Sequence, residues 1–168
     1  MGPSDHRHRD LRHLTVTIIT VSDTRTPETD ESGKLARRMV EEAGHRVAGA
    51  HIVRDEPDAL RSLLRDRLGD GEVDAILLNG GTGISRRDGT HEVVAGELEK
   101  TLPGFGEIFR ALSYEEIGPG AMLSRAVGGL ARGKVVFSMP GSTKAVRLAL
   151  EKLILPELAH AVGEARKG

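Results

Sequence analysis

The segment with the most chemistry in it is Asn79-Gly80-Gly81-Thr82-Gly83-Ile84-Ser85-Arg86-Arg87-Asp88-Gly89-Thr90-His91-Glu92. Two adjacent glycines and a third after Thr82 let backbone N–H groups turn toward an anion with no Cβ in the way, which is how a phosphate cradle is built. A tight turn from strand to helix uses glycines in the same way, so the glycines alone leave both readings open. Asp88, five residues past Gly83 and beside Arg86-Arg87, adds a carboxylate able to hold a hard cation and guanidinium groups able to meet phosphate. The loop has neither the Gly-Lys-Ser/Thr of a Walker loop nor the G-x-G-x-x-G of a dinucleotide fold.

Other groups able to do chemistry are scattered. Asp55, with Glu56 and Asp58 close by, is either a second acid for a metal or the N-cap of a helix starting at Pro57. Pro140-Gly141-Ser142 is a turn, an N-cap or a second anion loop. Ser124-Arg125 could grip a phosphate or lie on the surface, and Ser22-Asp23 follows an apolar run. His6, His8 and His13 form a short tract near the N-terminus that is given no function, because a solvated end accounts for it.

Elements that could bring these groups together follow from the pattern. Short β-branched runs alternate with helical periodicity from Leu14 onward, the signature of βαβ units and a mostly parallel sheet. Strands are expected at Thr15 to Val21, Arg46 to Val53, Val73 to Leu78 and Lys134 to Met139. Helices are expected from about Gly33 to Ala43, with Leu35, Met39 and Ala43 on its stripe and Gly44 at its end, and from Pro57 to Leu68. Further helices are expected from Thr90, as N-cap, to about Lys100, and from Pro103 to Ile117. Met122 to Leu130 reads as a short helix or irregular segment, and a C-terminal helix along Val146, Leu150 and Leu153 should be kinked or split at Pro156. The expected architecture is one α/β domain over 14–168, a three-layer α/β/α sandwich with a mostly parallel central sheet, preceded by a flexible arm over 1–13. Ligands bind such sheets beyond the carboxyl ends of the strands, where Ser22, Asp55, the Asn79 to Thr90 loop and Ser138 to Ser142 would converge.

Composition narrows the chemistry. With 24 basic and 25 acidic residues the chain carries a formal charge of −1, so no basic field points to nucleic acid. The absence of cysteine removes thiolate metal sites and thiol nucleophiles. No Trp, one Tyr and three Phe offer little to stack bases on. No apolar run reaches the roughly 18 residues of a membrane span, and the expected location is cytoplasmic.

The order Gly80-Gly81-Thr82-Gly83, Arg87-Asp88-Gly89-Thr90 and Glu92, Pro103-Gly104-Phe105, Met122-Leu123-Ser124-Arg125, and Met139-Pro140-Gly141-Ser142 resembles the MoaB/Mog family of molybdenum cofactor biosynthesis proteins. The resemblance runs from about Leu14 to Leu158, and the stretch from Gly104 to Gly118 is similar to the bacterial MoaB branch. It implies a molybdopterin adenylyltransferase, in which ATP and molybdopterin give adenylyl-molybdopterin and pyrophosphate with Mg²⁺. On the matching positions it implies Asp55 and Asp88 as the essential, metal-holding acids and Gly80, Gly81, Thr82 and Gly83, with Pro140 and Gly141, around the nucleotide phosphates. It also implies Ser22, Ser113 and Ser124 around the pterin, beside which Arg125 is a phosphate partner by its charge. A homotrimer or homohexamer is implied as well, with a molybdate-insertion protein as a further partner. His91, Ser138 and Asn79 depart from the family's common residues, and none of them removes a group the mechanism needs. A molybdopterin carrier without catalysis is the alternative. A nicotinamide-nucleotide deamidase relative fits less well, because such domains carry Gly-Gly-Leu-Gly and paired acids where this chain has Gly-Gly-Thr-Gly and a single Asp88.

Overall fold

Strand β1 (Thr15–Val21) is β-branched at every position and buried along nearly its whole length, as a strand covered on both faces must be. In the computed structural model, which describes residues 11–167, it lies inside a six-stranded sheet. After β1 come α1 (Glu31–Glu42), β2 (Arg46–Val53), α2 (Pro57–Leu68), β3 (Ala75–Asn79) and α3 (Thr90–Glu97). The chain continues through β4 (Lys100–Thr101), α4 (Pro103–Ile117), a 3₁₀ turn (Gly118–Leu123), β5 (Val127–Ala131) and β6 (Lys134–Met139). It ends in α5 (Thr143–Ala149), one π turn (Leu150–Ile154) and α6 (Leu155–Ala165). The strand order is β2-β1-β3-β6-β5-β4. Strands β2, β1, β3 and β6 run parallel, and β5 pairs antiparallel with both β6 and β4.

Side-chain alternation divides the core into two layers. Val16 and Ile18, with Leu77 and Phe137, pack against α1, α4, α5 and α6. Ile19 and Val21, with Ile76, Leu78 and Val136, pack against Leu60, Leu64 and Leu68 of α2 and Val93 and Val94 of α3. The expected α/β/α sandwich is the observed one, and its parallel strands all end on the edge that carries the candidate loops.

Several local expectations need correction. Helix α1 begins earlier than Gly33, because Asp30 caps it by accepting from the Gly33 N–H, and its buried stripe is Leu35, Ala36 and Val40 while Ala43 is exposed. Gly89, not Thr90, is the N-cap of α3; Thr90 is buried in the first turn, and the helix stops at Glu97 before the short β4. The segment Met122 to Leu130 contains a strand rather than a helix. Its glycines disguise it, yet they are there for space: a Cβ on Gly128 would lie 2.7 Å from the Phe137 ring and one on Gly129 2.3 Å from the Lys100 carbonyl. Arg132 and Gly133, at φ 49° and 75°, form the tight turn that closes the β5-β6 hairpin. The C-terminal helix, by contrast, is split as expected: the π turn Leu150–Ile154 interrupts it just before Pro156, which sits in the first turn of α6.

The arm is not free up to residue 13. Leu11 packs on the core and the His13 ring Nδ1 donates to the Gly44 carbonyl at 2.8 Å. His6 and His8 lie outside the described residues. Among the described residues no helix is long and apolar enough to cross a membrane.

Candidate active site

The carboxyl ends of β3 and β6 open onto a cleft of about 410 Å³, walled on its far side by α4, the 3₁₀ turn and α5. Gly81, Thr82, Gly83 and Asp88 come from the loop after β3, and Pro140 and Gly141 from the turn after β6. Ser113 reaches it from α4 because residues 105, 109 and 113 share one helical stripe, and Ser124 reaches it from the end of the 3₁₀ turn. Phe109, Ile117, Leu123 and Leu148 supply an apolar wall. Asp55, Gly80, Ser22 and Arg125 do not line this cleft; they stand behind or beside its floor.

The glycine loop is shaped by contacts that leave no room for side chains. Gly80 has φ 101° and Gly81 φ 68°, conformations that L residues rarely adopt. A Cβ on Gly81 would sit 2.2 Å from Thr90 Oγ1 and 3.0 Å from Asp55 Oδ2, so the acid lies directly against the loop. Asp55 Oδ1 accepts from the Gly89 N–H at 3.3 Å, while Asp88 Oδ2 accepts from the Ser85 N–H at 3.0 Å and the Ser85 hydroxyl at 2.7 Å. Asp55 Oδ2 and Asp88 Oδ1 accept no hydrogen bond among the described residues. Two carboxylates each offering one oxygen suit Mg²⁺, which takes one or two protein carboxylates and fills its octahedron with phosphate oxygens and water. Among the described residues no group of three or more His, Cys, Asp or Glu side chains could enclose an ion by itself.

Burial is the main cause that raises the Asp55 carboxyl above its ordinary value; the Gly89 N–H opposes it and the neighbouring charges of Asp88 and Asp23 add to it. Asp23 is held low by Arg87, which donates to its Oδ2 from Nη2 at 2.7 Å and from Nε at 3.2 Å. Asp23 Oδ1 also accepts from the Asp55 N–H at 3.1 Å, so this pair ties the Arg87-Asp88 segment to the end of β1.

Arg125 does something different from gripping a phosphate. Its Nε donates to the Gly83 carbonyl at 2.9 Å, its Nη2 to the Asp88 carbonyl at 2.8 Å, and its Nη1 to Glu92, which is held below its usual value as a result. The backbone N–H of Arg125 meets the Thr82 carbonyl at 2.9 Å. The guanidinium therefore staples both ends of the loop. Arg125→Met should cost about 2 kcal/mol of stability, the worth of hydrogen bonds from a charged donor at a partly exposed site. Arg125→Lys should not restore it, because an ammonium lacks the fork that spans two carbonyls. Thermal unfolding of the three proteins checks this, and a lysine variant as stable as the wild type would contradict the staple.

Ser22 is likewise turned to its own loop, its Oγ accepting from the N–H groups of Thr24 at 3.2 Å and Arg25 at 3.0 Å. Residues that the pattern left unassigned include Lys144, on the first turn of α5, and Glu116, both on the cleft wall. Arg25, Asp30 and Ser32, behind the Pro140-Gly141 turn, were also unassigned. A D-x-x-G spacing at Asp30 and Gly33 was a readable cap signal; Lys144 had none.

Known proteins resemble this chain along almost its whole length. The family profile described as a probable molybdopterin binding domain matches residues 17–160. The molybdenum cofactor biosynthesis protein B of Bacillus subtilis is 52% identical over 168 residues, covering 99% of each chain. A crystal structure of a molybdenum cofactor biosynthesis protein B superposes with TM-score 0.90 at 50% identity, covering 93% of this chain and 98% of that one. The molybdopterin biosynthesis enzyme MoaB of Thermus thermophilus superposes with TM-score 0.81 at 34% identity, covering 91% and 96%. With its mostly parallel sheet, its glycine loop after β3 and its Pro-Gly turn after β6, and matched over nearly its full length, the chain belongs to the MoaB/Mog family of molybdenum cofactor biosynthesis proteins.

Proposed function

We propose that this protein acts in molybdenum cofactor biosynthesis as a molybdopterin adenylyltransferase. The observation that carries the reading is the meeting of two acids, each with a free carboxylate oxygen, at a glycine loop that borders a cleft with one apolar wall. An oxygen of the molybdopterin terminal phosphate attacks the α-phosphorus of ATP. A P–O bond forms there, the bond to the α,β-bridging oxygen breaks, and pyrophosphate leaves with the electron pair. The attacking phosphate has a second pKa of roughly 6 and is mostly dianionic at neutral pH, so no general base is required. A site without a catalytic His or Cys is sufficient for that chemistry.

The difficulty is bringing two polyanions together, and positioning with charge neutralisation answers it. Asp55 and Asp88 would hold Mg²⁺, which supplies that neutralisation when bound. Gly81, Thr82 and Gly83 present backbone amides to the phosphates, Gly80 anchors the loop through its N–H on the Met139 carbonyl, and Pro140-Gly141 forms the facing turn. Ser113 and Ser124 border the pterin side, and Lys144 adds a positive charge to the cleft wall. Arg125 and Ser22 hold the loops in shape.

The exposed apolar side chains Ile108, Tyr114 and Ile117 of α4, with Met122 and Leu123 of the turn after it, support an assembly of several copies, a homotrimer or homohexamer. The adenylylated product would pass to a molybdate-insertion protein, and the work would be cytoplasmic. The test is pyrophosphate release from Mg-ATP by the purified protein under anaerobic conditions. Release that requires molybdopterin is the expected result. Tight molybdopterin binding without release would make the protein a carrier instead.

A further inference from the structure

The Gly141 carbonyl, in the turn after β6, is held by two side chains, one from the loop after β1 and one from the first turn of α1. Arg25 Nη2 donates to it at 3.2 Å and the Ser32 hydroxyl donates to it as well. Arg25 Nη1 donates to Ser32 Oγ at 3.0 Å and faces Asp30 Oδ1 at 3.5 Å. Asp30 is buried; its Oδ2 accepts from Thr20 Oγ1 at 2.7 Å and its Oδ1 from the Gly33 N–H at 3.0 Å. Thr20 Oγ1 in turn accepts from Asn79 Nδ2 at 3.1 Å. Asn79 is the residue before the glycine loop, so one chain of hydrogen bonds, buried from Asn79 to Asp30 and half-buried from Arg25 to Gly141, joins the two loops that face the cleft. Its packing is tight: a Cβ on Gly33 would lie 2.2 Å from Asp30 Oδ2 and 2.9 Å from Thr20 Oγ1.

Neither Arg25 nor Ser32 lines the cleft, whereas Gly141 does. A glycine peptide rotates easily, and a carbonyl turned inward would set a partial negative charge against any bound phosphate. We propose that Arg25 and Ser32 are positioning residues that keep the Gly141 carbonyl out of the cleft, so that the turn accepts a phosphate group. The identity of that ligand rests on the adenylylation reading, but the clamp acts on any phosphate occupant. Either donor alone holds the carbonyl less firmly, because both bind the same oxygen. Loss of both frees it.

The test uses inorganic pyrophosphate with Mg²⁺ as the probe, titrated calorimetrically into the wild type, Arg25→Met, Ser32→Ala and the double variant. Thermal unfolding without ligand serves as the fold control. Each single variant should weaken binding by roughly two- to fivefold, about one hydrogen bond. The double variant should lose more than the product of the two, and more than its change in unfolding midpoint accounts for, because residues in contact couple in stability as well. Arg25→Lys, which keeps the charge but not the fork, should behave as Arg25→Met. Wild-type protein that binds no pyrophosphate, a double variant within threefold of wild type, or a loss that only follows unfolding would overturn the proposal. Ser32→Ala decides alone if the arginine variants do not fold: unchanged affinity counts against the clamp, and a loss at unchanged midpoint supports it. Molybdopterin-dependent pyrophosphate release, measured on the same wild-type preparation, reports separately on adenylylation.

Discussion

Asp88→Asn is expected to lower molybdopterin-dependent pyrophosphate release at least about 100-fold, the size seen when one pre-organised charge stabiliser is removed. The asparagine oxygen can still accept from the Ser85 N–H and hydroxyl, so the loop keeps its shape. Its amide would then place a donor where Asp88 Oδ1 now offers an acceptor, and a cation would meet N–H groups instead of a carboxylate. Asp55→Asn should lose activity to a similar extent and yet make the protein more stable. Burial raises the Asp55 carboxyl, with Asp88 and Asp23 adding to the effect, so the fold disfavours its ionised form. A raised acid contributes stability that is full below its unfolded value and is lost as pH rises through its folded value. At neutral pH the asparagine removes that cost while keeping an acceptor for the Gly89 N–H, and a rise in unfolding midpoint of roughly 1–3 °C is expected after allowance for partial exposure. The gain should vanish as pH falls into the ordinary carboxylate range. Initial rates and unfolding at both pH values check the pair, and an Asp55→Asn protein that is active or less stable would remove Asp55 from its assigned place.

Where the physics is local, the sequence was legible. Strands Thr15–Val21, Arg46–Val53 and Lys134–Met139 and helices Pro57–Leu68 and Pro103–Ile117 lie where their periodicity placed them, since burial on one or two faces writes itself into residue order. Strand Val127–Ala131 was hidden because its glycines answer to Phe137 and Lys100, contacts with no trace in the local pattern. The candidate site divides in the same way. Gly81, Thr82, Gly83, Asp88, Ser113, Ser124, Pro140 and Gly141 meet at one cleft. Asp55 was visible two residues past the end of an expected strand, and the structure sets it against Gly81. Arg125 was read by charge alone, and its bonds to Gly83 and Asp88 span 42 and 37 residues. Arg25 reaches Gly141 across 116 residues, which no spacing rule could foresee. Side chains that hold a loop's carbonyls carry no motif, because a carbonyl is the same at every position.

Gly80→Ala should be the most damaging change in the loop. Its φ of 101° lies outside what alanine adopts without strain, and the added Cβ would meet the Val21 carbonyl oxygen at 2.2 Å. Neither side can give way easily. The Gly80 N–H is bonded to the Met139 carbonyl at 3.0 Å, and Val21 ends a strand paired on both sides, with β2 at Val53 and through its neighbour Thr20 with β3 at Asn79. Backbone strain and overpacking together should cost about 3–5 kcal/mol, or roughly 6–20 °C in unfolding midpoint for a chain of this size. Gly81→Ala makes the useful contrast. At φ 68° alanine is tolerated better, and its Cβ would press on two side chains, Thr90 and Asp55, rather than on backbone. Its damage should therefore fall on activity more than on stability, through displacement of Asp55. Gly96, with nothing within 4 Å of its Cβ position in helix α3, is the control; Gly96→Ala should stabilise by about 0.5–1 kcal/mol. A Gly80→Ala protein that melts and turns over like the wild type would mean that the loop is not pinned between β1 and β6, and the phosphate cradle would lose its rigid floor.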